Sequence, residues 1–220
     1  MKKILTLLVA VLATASVAHA QFGIIGGFTS SRTTIDTKDI SANFKGVSLF
    51  HAGIAYKVKL PLGFAVQPAL TYEMKGANLD QVKDINAGFS SLSTKAGYIQ
   101  LGAGIQWGID LLIARPFLLA QPFFGYQVNG SEKLTAADGT VSINSINDVF
   151  QTAKKKLEYG IELGGGVEVV KHIQVSVVWF KNLGYLYDGD KLTNVTGAIL
   201  GAYKDTKNYS GIKVSVGFFF

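Results

Sequence analysis

The sequence predicts an all-β fold, a closed, antiparallel, up-and-down transmembrane β-barrel of eight strands, and three observations carry that prediction. Period-2 alternation recurs in about eight segments, each near the ten-residue length of a tilted spanning strand. One face of most segments is apolar while the other carries amides and charges, the sorting required when one side meets lipid and the other a polar interior. The connections alternate between short and long, as they do in barrels with tight periplasmic turns and extended external loops.

The first twenty residues fix the compartment. MKKILTLLVAVLATASVAHA has Lys2 and Lys3, an apolar run over residues 4–13 and a small-x-small end at Ala18-His19-Ala20. That is the form of a secretory signal peptide cleaved before Gln21, the run being too short for a spanning helix. The expected organisation is therefore a signal peptide, 1–20, and one barrel domain, 21–220. With no cysteine in 220 residues, neither a lipid-anchored lipoprotein nor a disulfide scaffold is expected. Losing Lys2 and Lys3 lowers the net charge from +6 to +4, and the remaining bases are interspersed with acids, so nucleic acid is not an expected partner. No uninterrupted apolar stretch after Ala20 is long enough for a membrane helix. A chain that is 48% hydrophobic can then enter lipid only as a closed sheet in which every backbone group is paired.

The strands follow in order. The first is placed at residues 22–34, with glycines that blur its facing. The second, 48–60, sets Phe50, Ala52, Ile54, Tyr56 and Val58 against His51, Gly53, Ala55 and Lys57. The third, 64–75, opposes Phe64, Val66, Pro68, Leu70, Tyr72 and Met74 to Gln67, Thr71, Glu73 and Lys75. In the fourth, 98–109, Ile99, Leu101, Ile105 and Trp107 face away from Gln100, Gly102, Gly104 and Gln106. The fifth, 115–128, pairs an outer row of Leu118, Ala120, Pro122, Phe124 and Tyr126 with an inner row of Leu119, Gln121, Phe123 and Gln127. The sixth, 157–169, places Glu158, Glu162 and Glu168 among glycines opposite a fully apolar row, an arrangement no two-faced soluble core accepts. The seventh spans 173–185, and the eighth is GIKVSVGFFF, with Ile212, Val214, Val216, Phe218 and Phe220 on one face and Lys213 on the other.

Tight turns fall at 59–63, 109–114 and 171–172, and long connections at 35–46, 76–95, 129–155 and 188–207. This puts both ends of the barrel sequence on the periplasmic side. Aromatic residues then collect near both interfaces, where amphipathic rings are favoured. Pro68, Pro116 and Pro122 cannot donate to a ladder, so bulges or strand ends are expected at them.

The segment HAGIAYKVKLPLGFAVQPALTYEMKGANL, residues 51–79, resembles the second and third strands of PorT-like outer-membrane β-barrel proteins, with Ala69 and Leu70 following Pro68 where an acidic and apolar pair is usual. FGIIGGF, YIQL at 98–101 and GGGVE at 164–168 lie where that family has its first, fourth and sixth strands. The resemblance implies a small barrel of the OmpA/OmpX type in the outer membrane, with some relatives linked to protein secretion. It also implies that Val216, Phe218 and Phe220 serve as a recognition edge for the barrel-insertion machinery.

Candidate chemistry is sparse. Beyond the leader only His51 and His172 remain. His51 faces inward beside Glu73, the sort of dyad that could activate a serine, but on the wrong face to reach lipid; His172 is expected to be solvated in its turn. The glycine clusters at 102–104 and 164–166 miss the spacing of a phosphate loop. Asp188-Gly-Asp190 falls short of a calcium shell, and Asn129-Gly-Ser131 reads as the start of a loop. No metal or other cofactor is expected. The inward charges Lys57, Glu73, Lys75, Arg115, Glu158, Glu162, Glu168 and Lys213, with His51, are expected to pair across a lumen just wide enough for side chains. Glu162 should meet Lys213, and Arg115 should meet Glu168. The expected role is structural or surface-interacting, without catalysis. Outer-membrane lipid, lipopolysaccharide, the insertion machinery and an unidentified extracellular ligand are the expected partners. A narrow passive channel is the first alternative, a lipid-modifying barrel enzyme the second, and a secreted soluble barrel the rival at the level of fold.

Overall fold

A computed structural model of the chain describes residues 20–36, 41–43, 45–80, 89–136, 155–186 and 208–220. The proposed leader up to residue 19 and the Asp188-Gly-Asp190 turn lie outside the described residues. The strands are β1 (Ala20–Arg32), β2 (Thr34–Asp36), β3 (Ser41–Asn43), β4 (Lys45–Lys59), β5 (Phe64–Asp80), β6 (Phe89–Gly108), β7 (Ala114–Ala136), β8 (Leu157–Val169), β9 (Ile173–Asn182) and β10 (Ser210–Phe219). Eight of them close a barrel in the order β1-β10-β9-β8-β7-β6-β5-β4, while β2 and β3 form a separate two-stranded hairpin. Every neighbouring pair in the barrel is antiparallel, and the seam closes with Gly23 opposite Phe219 and Arg32 opposite Ser210.

The alternation becomes an inside-out protein. Leu101 is 58% exposed on the outer surface while Gln100 beside it is 1% exposed, and on β9 Trp179 and Phe180 are 44% and 0% exposed. In water that outer surface would be an aggregation hazard; in lipid it is the solvated one. Inside, glycines let strands and side chains approach. A Cβ on Gly27 would lie 2.0 Å from the Val214 carbonyl oxygen, and one on Gly211 would lie 1.9 Å from that of Ser30, so the β1–β10 seam depends on both.

The strands on one side of the barrel run longer than the alternation predicts. β5, β6 and β7 have 17, 20 and 23 residues, against ten each in β9 and β10. The stretch 76–95, expected as loop, is strand as far as Asp80 and again from Phe89, and Asn129-Gly-Ser131 lies within β7 rather than starting a loop. Asn129 donates through Nδ2 to the Tyr72 hydroxyl at 2.9 Å. The hydrophobic period marks a strand only where lipid covers it, so a sheet that continues into water looks like polar loop in sequence.

The expected bulges at the prolines are not where the prolines are. The ladder shifts between Gly46 and His51, between Phe89 and Ser91 and between Gly97 and Tyr98. Pro68 and Pro122 stand mid-strand, and the register is the same on both sides of each. Pairing lapses only toward the neighbour that the missing N–H would have faced, while Pro68 stays opposite Ala103 and Pro122 opposite Ile161. Continuous ladders on the other side hold the register, so one absent hydrogen bond forces no extra residue. Pro116 sits two residues inside the start of β7.

Candidate functional site

The barrel closes around a polar interior, and the inward charges stack at three levels. At the external level Lys75 of β5 reaches Glu158 of β8 at 2.7 Å and donates to the Gln100 amide oxygen at 3.1 Å. The Phe123, Phe180 and Tyr98 rings surround its ammonium at 4.7, 5.1 and 5.5 Å, a cation–π cage made possible by three inward aromatic residues. Asn182 donates through Nδ2 to the other Glu158 oxygen. Lys75 and Glu158 are each 1% exposed, so both charges depend on these partners.

At mid-depth Lys213 of β10 serves two carboxylates. Its ammonium contacts Glu73 of β5 at 2.9 Å and Glu162 of β8 more tightly. Glu162 also accepts from Gln100 at 2.9 Å and Gln121 at 3.1 Å, and Glu73 accepts from Thr71 at 3.0 Å. His51 stands opposite Glu73 in the β4–β5 register, but its ring nitrogens meet Thr29 Oγ1 and Ser215 Oγ, each at 2.9 Å. With the single hydroxyl proton of Thr29 on Glu73 at 3.4 Å, Nδ1–H is the donor to Thr29, and in the neutral ring Nε2 then accepts from Ser215. The relay Ser215–His51–Thr29–Glu73 has the polarity of a triad with a threonine inserted. Its serine, however, faces a cavity of about 40 Å³ among Gln67, Gln121, Gln174 and Ser176, enough for a few waters and far too small for an acyl chain.

At the periplasmic level Glu168 of β8 meets Lys57 at 3.0 Å and Lys59 at 2.5 Å, with Arg115 further off at 3.8 Å. The Lys57 ammonium also lies 3.7 Å from the centre of the Phe219 ring. Arg115 donates to Gln106 at 3.1 Å and to the Gly63 carbonyl at 2.8 Å, and Gln106 donates on to Gln67 at 2.7 Å.

All nine inward residues named from the sequence therefore lie in the lumen, 4% exposed or less. Glu162 and Lys213 are brought together, as are Arg115 and Glu168, although Arg115 is the most distant of three cations on that carboxylate. Sequence reasoning missed the partners supplied from distant strands: Lys57 and Glu168 are on β4 and β8, Lys75 and Glu158 on β5 and β8. It also missed the share taken by Thr29, Ser215 and Asn182. Their polarity on the inner face was the available signal. His172 is exposed in its turn, as expected, and is also tied: Nδ1–H donates to the Phe219 carbonyl at 2.7 Å and the ring stacks on Phe218 at 6.2 Å, fastening the β8–β9 turn to the end of β10. Val216, Phe218 and Phe220 all face outward, with Phe218 and Phe220 edge to face at 5.2 Å.

A closed sheet with an apolar exterior and a hydrogen-bonded, ionised interior is the construction of an integral barrel of the bacterial outer membrane. The chain belongs to the outer membrane protein beta-barrel domain family, which matches residues 14–189. Among solved structures it is similar to Neisserial surface protein A, at 12% identity and a TM-score of 0.40 over 91% of this chain and 97% of that one. It is also similar to Ail, the attachment invasion locus protein of Yersinia pestis, at 10% identity and a TM-score of 0.42 over 92% and 99%. No curated protein matches the sequence.

Proposed function

We propose that this protein is a sealed barrel with a structural or surface-interaction role, carrying out neither transport nor catalysis. The observation that supports this reading is the filled lumen, in which three levels of ion pairs and amides leave a mid-depth cavity of only about 40 Å³. A conducting pore needs a continuous water column, and a lipid-modifying enzyme needs a nucleophile open to lipid; Ser215 points the other way. In planar bilayers the purified barrel is expected to pass almost no current. A steady ion-sized conductance would replace this reading with that of a narrow passive channel, and turnover of labelled phospholipid or lipopolysaccharide would replace it with that of an enzyme.

In this reading lipid and lipopolysaccharide surround the barrel, and the external ends of β5, β6 and β7 raise the loops toward an extracellular ligand. The resemblance to PorT-like barrels is part of the same proposal. Several of its motif positions carry lumen contacts here: His51 in the relay, Gln67 beneath Gln106 and Lys75 on Glu158. Val216, Phe218 and Phe220 form the edge offered to the insertion machinery. Deleting Phe220 is expected to lower the amount of protein reaching the outer membrane in cells, measured by fractionation and by heat-modifiable gel mobility. Unchanged insertion would remove that role.

A further inference from the structure

The lumen charges balance at the external level but not at the periplasmic one. There Lys57, Lys59 and Arg115 converge on the single carboxylate of Glu168, and the other acid nearby, Asp110, is 3.6 Å from Arg115 and 69% exposed. Lys59, Asp110, Arg115 and Glu168 line an open vestibule of about 620 Å³ at the short-turn end of the barrel, with Lys57 behind its floor. Lys171 stands on its rim, and Leu111, Leu112 and Ile113 make an apolar wall beside it. Counting Lys57 behind the floor, four cations face two carboxylates. Low-dielectric walls focus that surplus into the mouth, where it favours an anion from the adjoining solution. Cleavage before Gln21 would add an α-ammonium at the same place.

We propose that this vestibule is a binding site for a phosphate-bearing anion, with Lys59 and Lys171 as its direct contacts and Arg115 as a fixed charge behind them. Lys57 and Arg115 are buried and committed to Glu168, Gln106 and the Gly63 carbonyl, so they set the potential and do not need to move. Lys59 has a quarter of its side chain exposed, and Lys171 is exposed. Lys171 can turn its ammonium toward a ligand, and Lys59, held by Glu168 at 2.5 Å, has two further N–H groups to offer; phosphate is a group that lysine binds well as a point charge. The rim is built to hold Lys171 in place: Val170 and Lys171 take φ of 47° and 66° in a turn closed by the His172 N–H on the Val169 carbonyl, and Gln21 donates through Nε2 to the Lys171 carbonyl at 3.0 Å. A β-branched residue is seldom found in that left-handed region. The volume is in the range of small-molecule sites and takes a phosphate with a modest organic body. The cations meet the phosphate group of either a free anion or a lipid headgroup, and the apolar wall at Leu111–Ile113 has room beside them for the glycerol and upper acyl region of a phospholipid.

The test is a phosphorus-NMR titration of the refolded full-length barrel in zwitterionic detergent. One arm uses inorganic phosphate and the other short-chain phosphatidylglycerol in mixed micelles. Saturable binding is expected in at least one arm, weakened about tenfold or more in Lys171→Gln and further in Lys59→Gln/Lys171→Gln, and unchanged in Lys155→Gln on the external side. Lys171→Gln alters an exposed turn side chain and leaves the pairs of the floor intact, so its folding can be verified by heat-modifiable mobility before binding is read. Binding in the phosphate arm would identify a free anion, and binding confined to the lipid arm a headgroup. Absence of saturable binding in both arms, or equal binding by wild type and the doubly substituted protein, would overturn the site.

Discussion

Lys213→Met is expected to destabilise the folded barrel by about 3–5 kcal/mol, the cost of leaving buried charge without its partner. The structure sharpens this expectation, because Lys213 answers to both Glu73 and Glu162 and its removal strands two carboxylates that are 1% and 3% exposed. Glu162→Gln should cost less, since Lys213 keeps Glu73 and the new amide can still meet Gln100 and Gln121. Pairing Glu162→Gln with Lys213→Met would still leave Glu73 uncompensated. Only the triple variant Glu73→Gln/Glu162→Gln/Lys213→Met should recover most of the loss. Urea unfolding in lipid vesicles, followed by tryptophan fluorescence and gel mobility, measures each step. Losses that simply add across the three positions would show that the groups do not act as one cluster.

Leu163→Arg is the second large effect, about 2–4 kcal/mol against folding into a bilayer, because it places a guanidinium on the lipid face near mid-depth. Leu163 lies between Ala120 of β7 and Trp179 of β9 and is 43% exposed toward lipid. The matched control is Leu157→Arg at the external start of β8, where the same charge reaches the interface and should cost about 1 kcal/mol or less. The adjoining inward position is no control, since a Cβ on Gly164 would stand 2.2 Å from the Val177 carbonyl oxygen. Equal costs at Leu163 and Leu157 would contradict the assigned depth of β8.

The faces of the strands were legible from the alternation alone. Wherever lipid meets one side and packed polar groups the other, successive residues must differ, and Leu157 to Val169 of β8 was bounded to the residue on that signal. The inward rank of charges was legible for the same reason. The glycine-rich β1 was blurred, because a glycine carries no label of which side it faces.

What the sequence by itself determined about this protein is thus the number of spanning strands and their facing, local consequences of a period of two, together with the membrane they belong to, read from the leader-like first twenty residues and the alternation of short and long connections. Of the charge pairings, Glu162 with Lys213 and Arg115 with Glu168 were legible too, and the rest were decided by the tertiary structure. Neighbouring strands can be paired from their order, but Lys57 with Glu168 and Lys75 with Glu158 meet only when closure brings β4 and β5 across from β8. The same closure gathered three cations on Glu168 and one on two carboxylates at mid-depth. Reach across a barrel depends on its width, its tilt and the lengths of the side chains between, and none of these is written in the order of residues along one strand.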